Sequence, residues 1–434
     1  NYRLSAREIA QLWELAEPRV IFADLECMAL AREALGDGAR LIGCEELSAD
    51  RPDAGLVDSG WGGAQMEDPA FLLFTSGTTG LPKAAVLPVR QVFWNAVNTQ
   101  LAWELRRDDT TILYTPLFHT GAINVLAMPL LALGGRVVIQ RAFDAAAVVA
   151  DITRWQVSAL FGVPTTFQML EREPGLTQAL KTVRMLVSGG APLPIALIER
   201  YRDRGVTLLQ GFGMTEVGPN CFYLPGERAF EKAGSVGLPM PYSAARIRVE
   251  GRDAAPGEVG QLEIAGPHVS AGYFRNPAST EATLVDGWLR TGDLAKIDED
   301  GFYTIAGRAK DMFISGGENV YPAEVEGALA GHPAVVESAV VAVPDETWGE
   351  VGCAFVVLNE RGADAHELTG FLRGQLARYK VPRRFVFPEA LPKNESGKVQ
   401  KTQLVQEAVA SETAGAGTNP KETPCTRTAR PSAA

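Results

Sequence analysis

Four stretches of the chain gather residues suited to handling phosphates, sugar hydroxyls and divalent cations. The first leaves an apolar run at residues 71–74 and reads Thr75-Ser76-Gly77-Thr78-Thr79-Gly80-Leu81-Pro82-Lys83. Small hydroxylated residues and glycines let backbone N–H groups approach phosphate oxygens, and Lys83 adds a point charge. The loop is not a Walker A motif, because Pro82 has no N–H to donate and no Ser or Thr follows Lys83. A kinase or motor ATPase is therefore disfavoured. The same composition also describes a Ser/Thr/Gly turn with a solvent-facing lysine, and this segment alone does not separate the two.

The second stretch, Gln210-Gly211-Phe212-Gly213-Met214-Thr215-Glu216, ends a predicted strand at residues 206–209. Ligands of open α/β sheets gather beyond the carboxyl ends of strands. There Glu216 can hold Mg²⁺ bridging nucleotide phosphates, and Thr215 can donate its hydroxyl to the same group. A glutamate after a glycine turn is more often a helix-start charge. The third is Gly287-Trp288-Leu289-Arg290-Thr291-Gly292-Asp293, followed past an Asp300-Gly301 hairpin by Gly307-Arg308. It reads as a tight turn whose Asp293 carboxylate can accept both hydroxyls of a ribose, although an Asx-turn or helix cap is the plainer use of that residue and Arg308 can equally be a surface charge. The fourth, Pro392-Lys393-Asn394-Glu395-Ser396-Gly397-Lys398, is a glycine-hinged loop presenting a lysine. Most such lysines are simply solvated.

Loops of this kind need a sheet to hold them. Ser5-Ala6-Arg7-Glu8 forms a capping box ahead of a stripe of Ile9, Leu12, Trp13 and Ala16, and Val20-Ile21-Phe22 follows as a short strand. Strand-like runs at residues 71–74, 111–114, 136–139, 159–163, 183–187 and 206–209 are separated by helical segments such as 89–105, 145–155 and 194–204. Residues 234–305 change to short alternating strands with Gly and Pro turns, as a small β-barrel-like or antiparallel layer requires. Gly307-Arg308-Ala309-Lys310-Asp311 interrupts that pattern. The fold expected is α/β: a large N-terminal lobe (1–308) of mixed sheets with a small β-barrel-like subdomain, then a smaller α+β domain (309–408). Residues 409–434 are expected to be a disordered tail, since past Ser411 no large apolar residue occurs.

Composition limits the function classes. The 434 residues carry 41 Lys+Arg against 52 Asp+Glu, a net charge of −11, which opposes general affinity for nucleic acid or anionic lipid. Cys27, Cys44, Cys221, Cys353 and Cys425 are widely spaced with no CxxC, so neither a disulfide framework nor a zinc site is implied, and a cytoplasmic location is expected. The most apolar stretch, residues 121–139, contains Asn124, Pro129 and Gly134-Gly135-Arg136, so no transmembrane segment is expected. A homodimer is left open.

Taken in order, Thr75 to Lys83, Gly211 to Glu216, Gly287 to Asp293, Gly307 to Asp311 and the Lys398 loop resemble the acyl-adenylate-forming superfamily of acyl-CoA synthetases, firefly-type luciferases and nonribosomal-peptide adenylation domains. Pro116-Leu117-Phe118-His119, Phe161-Gly162-Val163-Pro164 and Ile314-Ser315-Gly316-Gly317 are most similar to bacterial fatty acyl-CoA ligases. The resemblance covers residues 1–408, and members carry further residues ahead of Asn1, so the lobe is expected to be truncated at its front.

The resemblance implies ATP, Mg²⁺ and coenzyme A, and a fatty or related carboxylic acid activated as acyl-AMP with release of pyrophosphate, then AMP. Delivery of the acyl group to a carrier protein, or an impaired nucleotide-binding remnant, are the alternatives. It implies that Thr75, Ser76, Gly77, Thr78, Thr79, Gly80 and Lys83 wrap the β- and γ-phosphates, and that Thr215 and Glu216 meet the α-phosphate. Mg²⁺ would fall to Thr75 and Glu216. Asp293 and Arg308 would hold the ribose, while Gly190-Ala191-Pro192 and Gly211-Phe212-Gly213 would enclose the adenine. His119 would line the acyl tunnel, and Lys398 would neutralise charge during adenylation. Lys310 would be a hinge, and Gly316, Gly317, Tyr379 and Arg383 would meet CoA. Arg378, Lys380, Arg383, Arg384, Lys393, Lys398 and Lys401 outnumber Glu389 and Glu395 locally, a basic patch able to receive the anionic end of CoA; Val381 stands where related ligases often place another base.

Overall fold

Neighbouring residues of the strands Ala159–Gly162, Met185–Ser188 and Leu208–Met214 enter two different cores. Leu160, Leu186 and Leu208 face one side; Ala159, Met185, Val187 and Leu209 face the other. Strands buried on both faces are those of a parallel sheet covered by helices, and these three are parallel. Val148 and Ile152 of helix Ala145–Trp155, with Leu197 and Tyr201 of helix Ile195–Asp203, fill the first core. Trp103, Val125, Leu126 and Leu130 fill the second. Gly218–Tyr223 and Leu238–Pro239 extend this sheet antiparallel.

The structure is a computed structural model describing residues 1–35, 40–47, 63–75, 82–191, 193–393 and 399–415. It divides into two compact units, Asn1–Lys310 and Asp311–Ala434. Within the first, Ser5 caps helix Ala6–Ala16 by the reciprocal box: its backbone N–H donates to Glu8 at 2.8 Å, and its hydroxyl accepts from the Glu8 N–H at 3.4 Å. The hairpin Pro69–Thr75/Lys83–Pro88 pairs antiparallel and leads into helix Val89–Ala102. A six-stranded antiparallel sheet follows, ordered Arg252–Asp253, Ala244–Val249, Gly260–Ala265, Trp288–Ile297, Leu284–Val285, with Tyr303–Arg308 also paired to Trp288–Ile297. This is the barrel-like layer, and its core of Ile247, Leu262, Ile264 and Ala295 also takes Phe222 from the first sheet and Val217 from the turn Thr215–Val217 ahead of that strand. That shared core brings the ends of the two sheets together.

In the second unit Gly349–Leu358 is central, flanked by Val335–Asp345 and Phe313–Ser315 antiparallel and by Arg384–Val386 parallel. Val325, Leu329, Leu368 and Leu372 of helices Pro322–Ala330 and Ala365–Arg373 cover one face, and Leu404 and Ala408 of helix Lys401–Gly415 pack on the other. That last helix continues to Gly415, beyond the start of the tail expected at 409; residues 416–434 lie outside the described residues. Among the described residues, no helix is long and apolar enough to cross a membrane.

The structure corrects the sequence reading at two motifs. The strand begun at 287–289 does not end in a tight turn at Asp293: it runs on as the ten-residue strand Trp288–Ile297, in which Leu289, Thr291, Asp293 and Ala295 alternate inward. Polar Thr291 and Asp293 at inward positions hide the period-2 signal, and Gly292 at φ +74° imitates a turn residue in composition. Likewise Gly211 to Met214 continue the strand rather than leaving it.

Candidate active site

The edge of strand Lys83–Pro88 binds residues 271–274: Ala271 N–H donates to Val86 O at 3.0 Å, Val86 N–H to Gly272 O at 2.9 Å and Phe274 N–H to Ala84 O at 2.8 Å. This places Tyr273 beside Lys83, whose ammonium lies 5.3 Å from the ring centroid. The Tyr273 hydroxyl donates to Glu216 Oε1 at 2.8 Å, and the Thr75 hydroxyl reaches the same oxygen at 3.5 Å. Glu216 is 5% exposed. Burial first, then the adjacent Glu216 charge and hydrogen bond, push the Tyr273 phenol far above its ordinary range, so it remains a donor.

A buried carboxylate flanked by hydroxyls and a lysine suits Mg²⁺ shared with phosphates, because Mg²⁺ commonly takes one or two carboxylates and completes its shell with phosphate oxygens and water. Among the described residues there is no cluster of three or more His, Cys, Asp or Glu able to hold a metal without such help. The fit is to a metal that arrives with its phosphates.

Asp293, 6% exposed, stands opposite Arg308 on the paired strand, and Arg308 Nε is 2.8 Å from its Oδ1. Arg308 Nη1 donates to Thr291 O at 3.2 Å, and the Asp293 N–H donates to Thr291 Oγ1 at 3.0 Å, so both members of the pair are anchored. The Arg308 charge is felt at the Tyr273 phenol, lowering it against the larger upward effects, and Asp293 adds to the burial that raises the Cys221 thiol.

The glycine segments also meet. Ser188 and Gln210 are register partners, and a Cβ on Gly189 would lie 3.5 Å from Gly211 O. Gly190, at φ +80°, and Ala191 follow at the surface. Phe161 lies against both the segment after His119 and the Gly189 segment, since a Cβ on Gly121 or on Gly189 would come 3.4 or 3.5 Å from its ring. His119 caps the helical turn Thr120–Ala122 and is half-buried against Phe118, ring centroids 4.6 Å apart. Phe212 packs edge-on against Phe222 at 5.7 Å. Gly213 is obligatory for the strand: a Cβ there would fall 2.3 Å from the backbone of Gly218 and Pro219. Gly213→Ala is expected to destabilise the chain by about 2–3 kcal/mol, read as a lowered denaturation midpoint; an unchanged midpoint would contradict this packing.

In the second unit, Gly316 and Gly317 form the turn between Phe313–Ser315 and Glu318–Val320, both at positive φ. Gly316 N–H donates to Trp348 O at 2.9 Å, a Cβ on Gly316 would strike the Trp348 ring at 2.4 Å, and Arg383 lies 4.8 Å over that ring. Gly316, Gly317 and Arg383 thus share one face through Trp348, which is 37% exposed. Tyr379 instead packs on the helix-covered core, with the Lys380 ammonium 5.8 Å from its ring. The basic patch is partly neutralised: Lys380, Lys393 and Lys401, three of its seven cations, sit 2.7 Å from Glu324, Glu337 and Glu326. Sequence counting saw the cations but not these partners, which come from distant helices and strands.

Ser76, Gly77, Thr78, Thr79, Gly80, Pro192 and Lys398 lie outside the described residues. Lys310 is the last residue of the first unit. Tyr273 and Trp348 were not found from sequence; an isolated Tyr or Trp in an apolar setting carries no local signal of what it will touch.

Comparison with known proteins places the chain among its relatives. The AMP-binding enzyme family model matches residues 1–274, and the AMP-binding enzyme C-terminal domain matches residues 324–398. A feruloyl-CoA synthase of Amycolatopsis sp is 42% identical over 342 residues, 78% of this chain and 70% of that protein. An indoleacetate–CoA ligase of Aromatoleum aromaticum is 38% identical over 421 residues, 94% of this chain and 82% of that protein. The o-succinylbenzoate CoA synthetase of Bacillus subtilis, solved with its acyl-adenylate intermediate, superposes with a TM-score of 0.81 at 32% identity, covering 92% of this chain and 81% of that one. Its complex with ATP and a magnesium ion gives the same TM-score and identity, covering 92% and 82%. With both family domains matched in one chain and these relatives spanning most of it, the protein belongs to the AMP-binding enzyme family, as an acyl-CoA synthetase.

Proposed function

We propose that the chain is an ATP-dependent carboxylate–CoA ligase acting on an acid that bears an aromatic ring, through enzyme-held acyl-AMP. The observation that carries the reading is the meeting of Thr75, Lys83, Glu216 and Tyr273, with the buried Asp293–Arg308 pair in the same unit. In this reading Lys83 and the loop from Thr75 through Gly80 hold the β- and γ-phosphates, Thr215 and Glu216 hold the α-phosphate end, and Asp293 accepts the ribose hydroxyls with Arg308 beside it. Mg²⁺, when bound, neutralises the phosphate charge that builds as pyrophosphate leaves. A carboxylate oxygen attacks the α-phosphorus and pyrophosphate departs; the CoA thiol then attacks the acyl carbon and AMP departs. Lys398 serves the first step, and the Gly316–Gly317 face with Trp348 and Arg383 serves the second. Lys310 is the proposed hinge between them.

A fatty acid is the expectation from motif resemblance alone. The feruloyl, indoleacetate and succinylbenzoate names of the relatives all denote acids with an aromatic ring, and Phe161, set against Gly121 and Gly189, offers an aromatic wall where such a ring can pack. The cytoplasm is the proposed compartment, and a homodimer is compatible with the reading. The test supplies ATP, Mg²⁺, CoA and a panel of cinnamic, arylacetic, benzoic and fatty acids, and follows pyrophosphate and the thioester by mass. Aryl acids should yield acyl-CoA; turnover confined to fatty acids would overturn the substrate class, and pyrophosphate without thioester would overturn the acceptor.

A further inference from the structure

The turn Thr215–Val217, which carries Glu216, is tied by its backbone at every residue. Thr215 O accepts from Gln91 Nε2 at 2.9 Å, Glu216 O from the Ser270 N–H at 2.8 Å and Val217 O from His268 Nδ1 at 2.5 Å. Gln91 is buried at the start of helix Val89–Ala102, and His268 is fully buried in the segment leading to Tyr273. The neighbouring Arg90 ties helix to segment: its Nη1 donates to Pro267 O and to Val269 O. Helix start, segment and turn therefore brace one another as a triangle.

The chemistry of the donors is one-sided. A carbonyl only accepts, so His268 carries its proton on Nδ1, and burial holds the ring neutral by pushing its pKa down. Its Nε2 and the Gln91 Oε1 are buried with no partner among the described residues, so each side chain is held at this site by its single donated bond and by packing. A buried carbonyl that loses its donor costs free energy, and the segment relaxes to recover a partner. Here relaxation would swing the Glu216 carboxylate, the group on which the metal depends.

We infer that Gln91 and His268 are positioning residues that set Glu216 for Mg²⁺·ATP, acting on the backbone of its turn rather than on the ligand. This rests on the proposed role of Glu216. Calorimetric titration of the full chain with ATP, with and without Mg²⁺, gives the affinity gained from the metal, and titration with adenosine reports the nucleoside half of the site. Gln91→Met and His268→Leu should each cut the metal-dependent gain about tenfold or more, with adenosine affinity unchanged. His268→Asn, whose Nδ2–H can stand where Nδ1–H does, should restore most of it.

Folded Gln91→Met that keeps the full gain would overturn the inference, as would equal losses for adenosine, or His268→Asn no better than His268→Leu. If His268→Leu fails to fold, Gln91→Met decides. Glu216→Gln is measured alongside: a full metal-dependent gain in that variant would refute the role of Glu216 itself, whereas its loss there with none in the Gln91 and His268 variants would refute only the positioning.

Discussion

Lys398→Ala is expected to slow acid-dependent pyrophosphate release by about 10²–10³-fold, while conversion of supplied acyl-AMP and CoA to thioester stays near the wild-type rate. The reason is electrostatic. In adenylation, negative charge concentrates between the attacking carboxylate and the α-phosphate, and a fixed ammonium there stabilises the transition state more than the ground state. In thioester formation that charge pattern does not recur. Of the described residues on either side, Lys393 and Val399 pair as an antiparallel bridge, and Lys393 is held by Glu337 at 2.7 Å. The two half-reactions are measured separately, the first by pyrophosphate release and the second with synthetic acyl-AMP; equal losses in both would refute the step-specific role.

Glu216→Gln is expected to lower kcat/KM for ATP by about a hundredfold and to shift Mg²⁺ activation to higher concentration. The substitution keeps the shape of the side chain and an oxygen able to accept from Tyr273, so the 2.8 Å hydrogen bond survives and the fold should too. What is lost is one negative charge in a buried place, where Mg²⁺ is attracted more strongly than it would be in water. Raising Mg²⁺ should recover part of the rate. An unchanged Mg²⁺ requirement, with the variant folded, would mean that the carboxylate is held by Tyr273 and Thr75 for a structural reason alone.

These expectations draw on two kinds of information. The kinds of residue in each motif, their order along the chain and the change from α/β alternation to short antiparallel strands were legible in the amino-acid sequence. Each depends on local chemistry: turn residues, capping groups and hydrophobic period act within a few positions of one another. The capping box at Ser5 and the helix Ala145–Trp155 are examples. Local logic also produced the two misreadings. Thr291-Gly292-Asp293 has the composition of a turn, but its strand is held by pairing with Gly260–Ala265 and Tyr303–Arg308, which no local pattern contains.

Only the tertiary structure decided which of these residues meet. Thr75 and Glu216 are 141 positions apart and touch because the hairpin strand Lys83–Pro88 packs beside the turn Thr215–Val217. Tyr273 reaches Glu216 because residues 271–274 pair with that hairpin, and Lys380, Lys393 and Lys401 lose their common surplus of charge to carboxylates on other elements. Such encounters depend on strand order, edge pairing and register, which are set by the packing of the whole unit, whereas a motif is set by its neighbours in the chain.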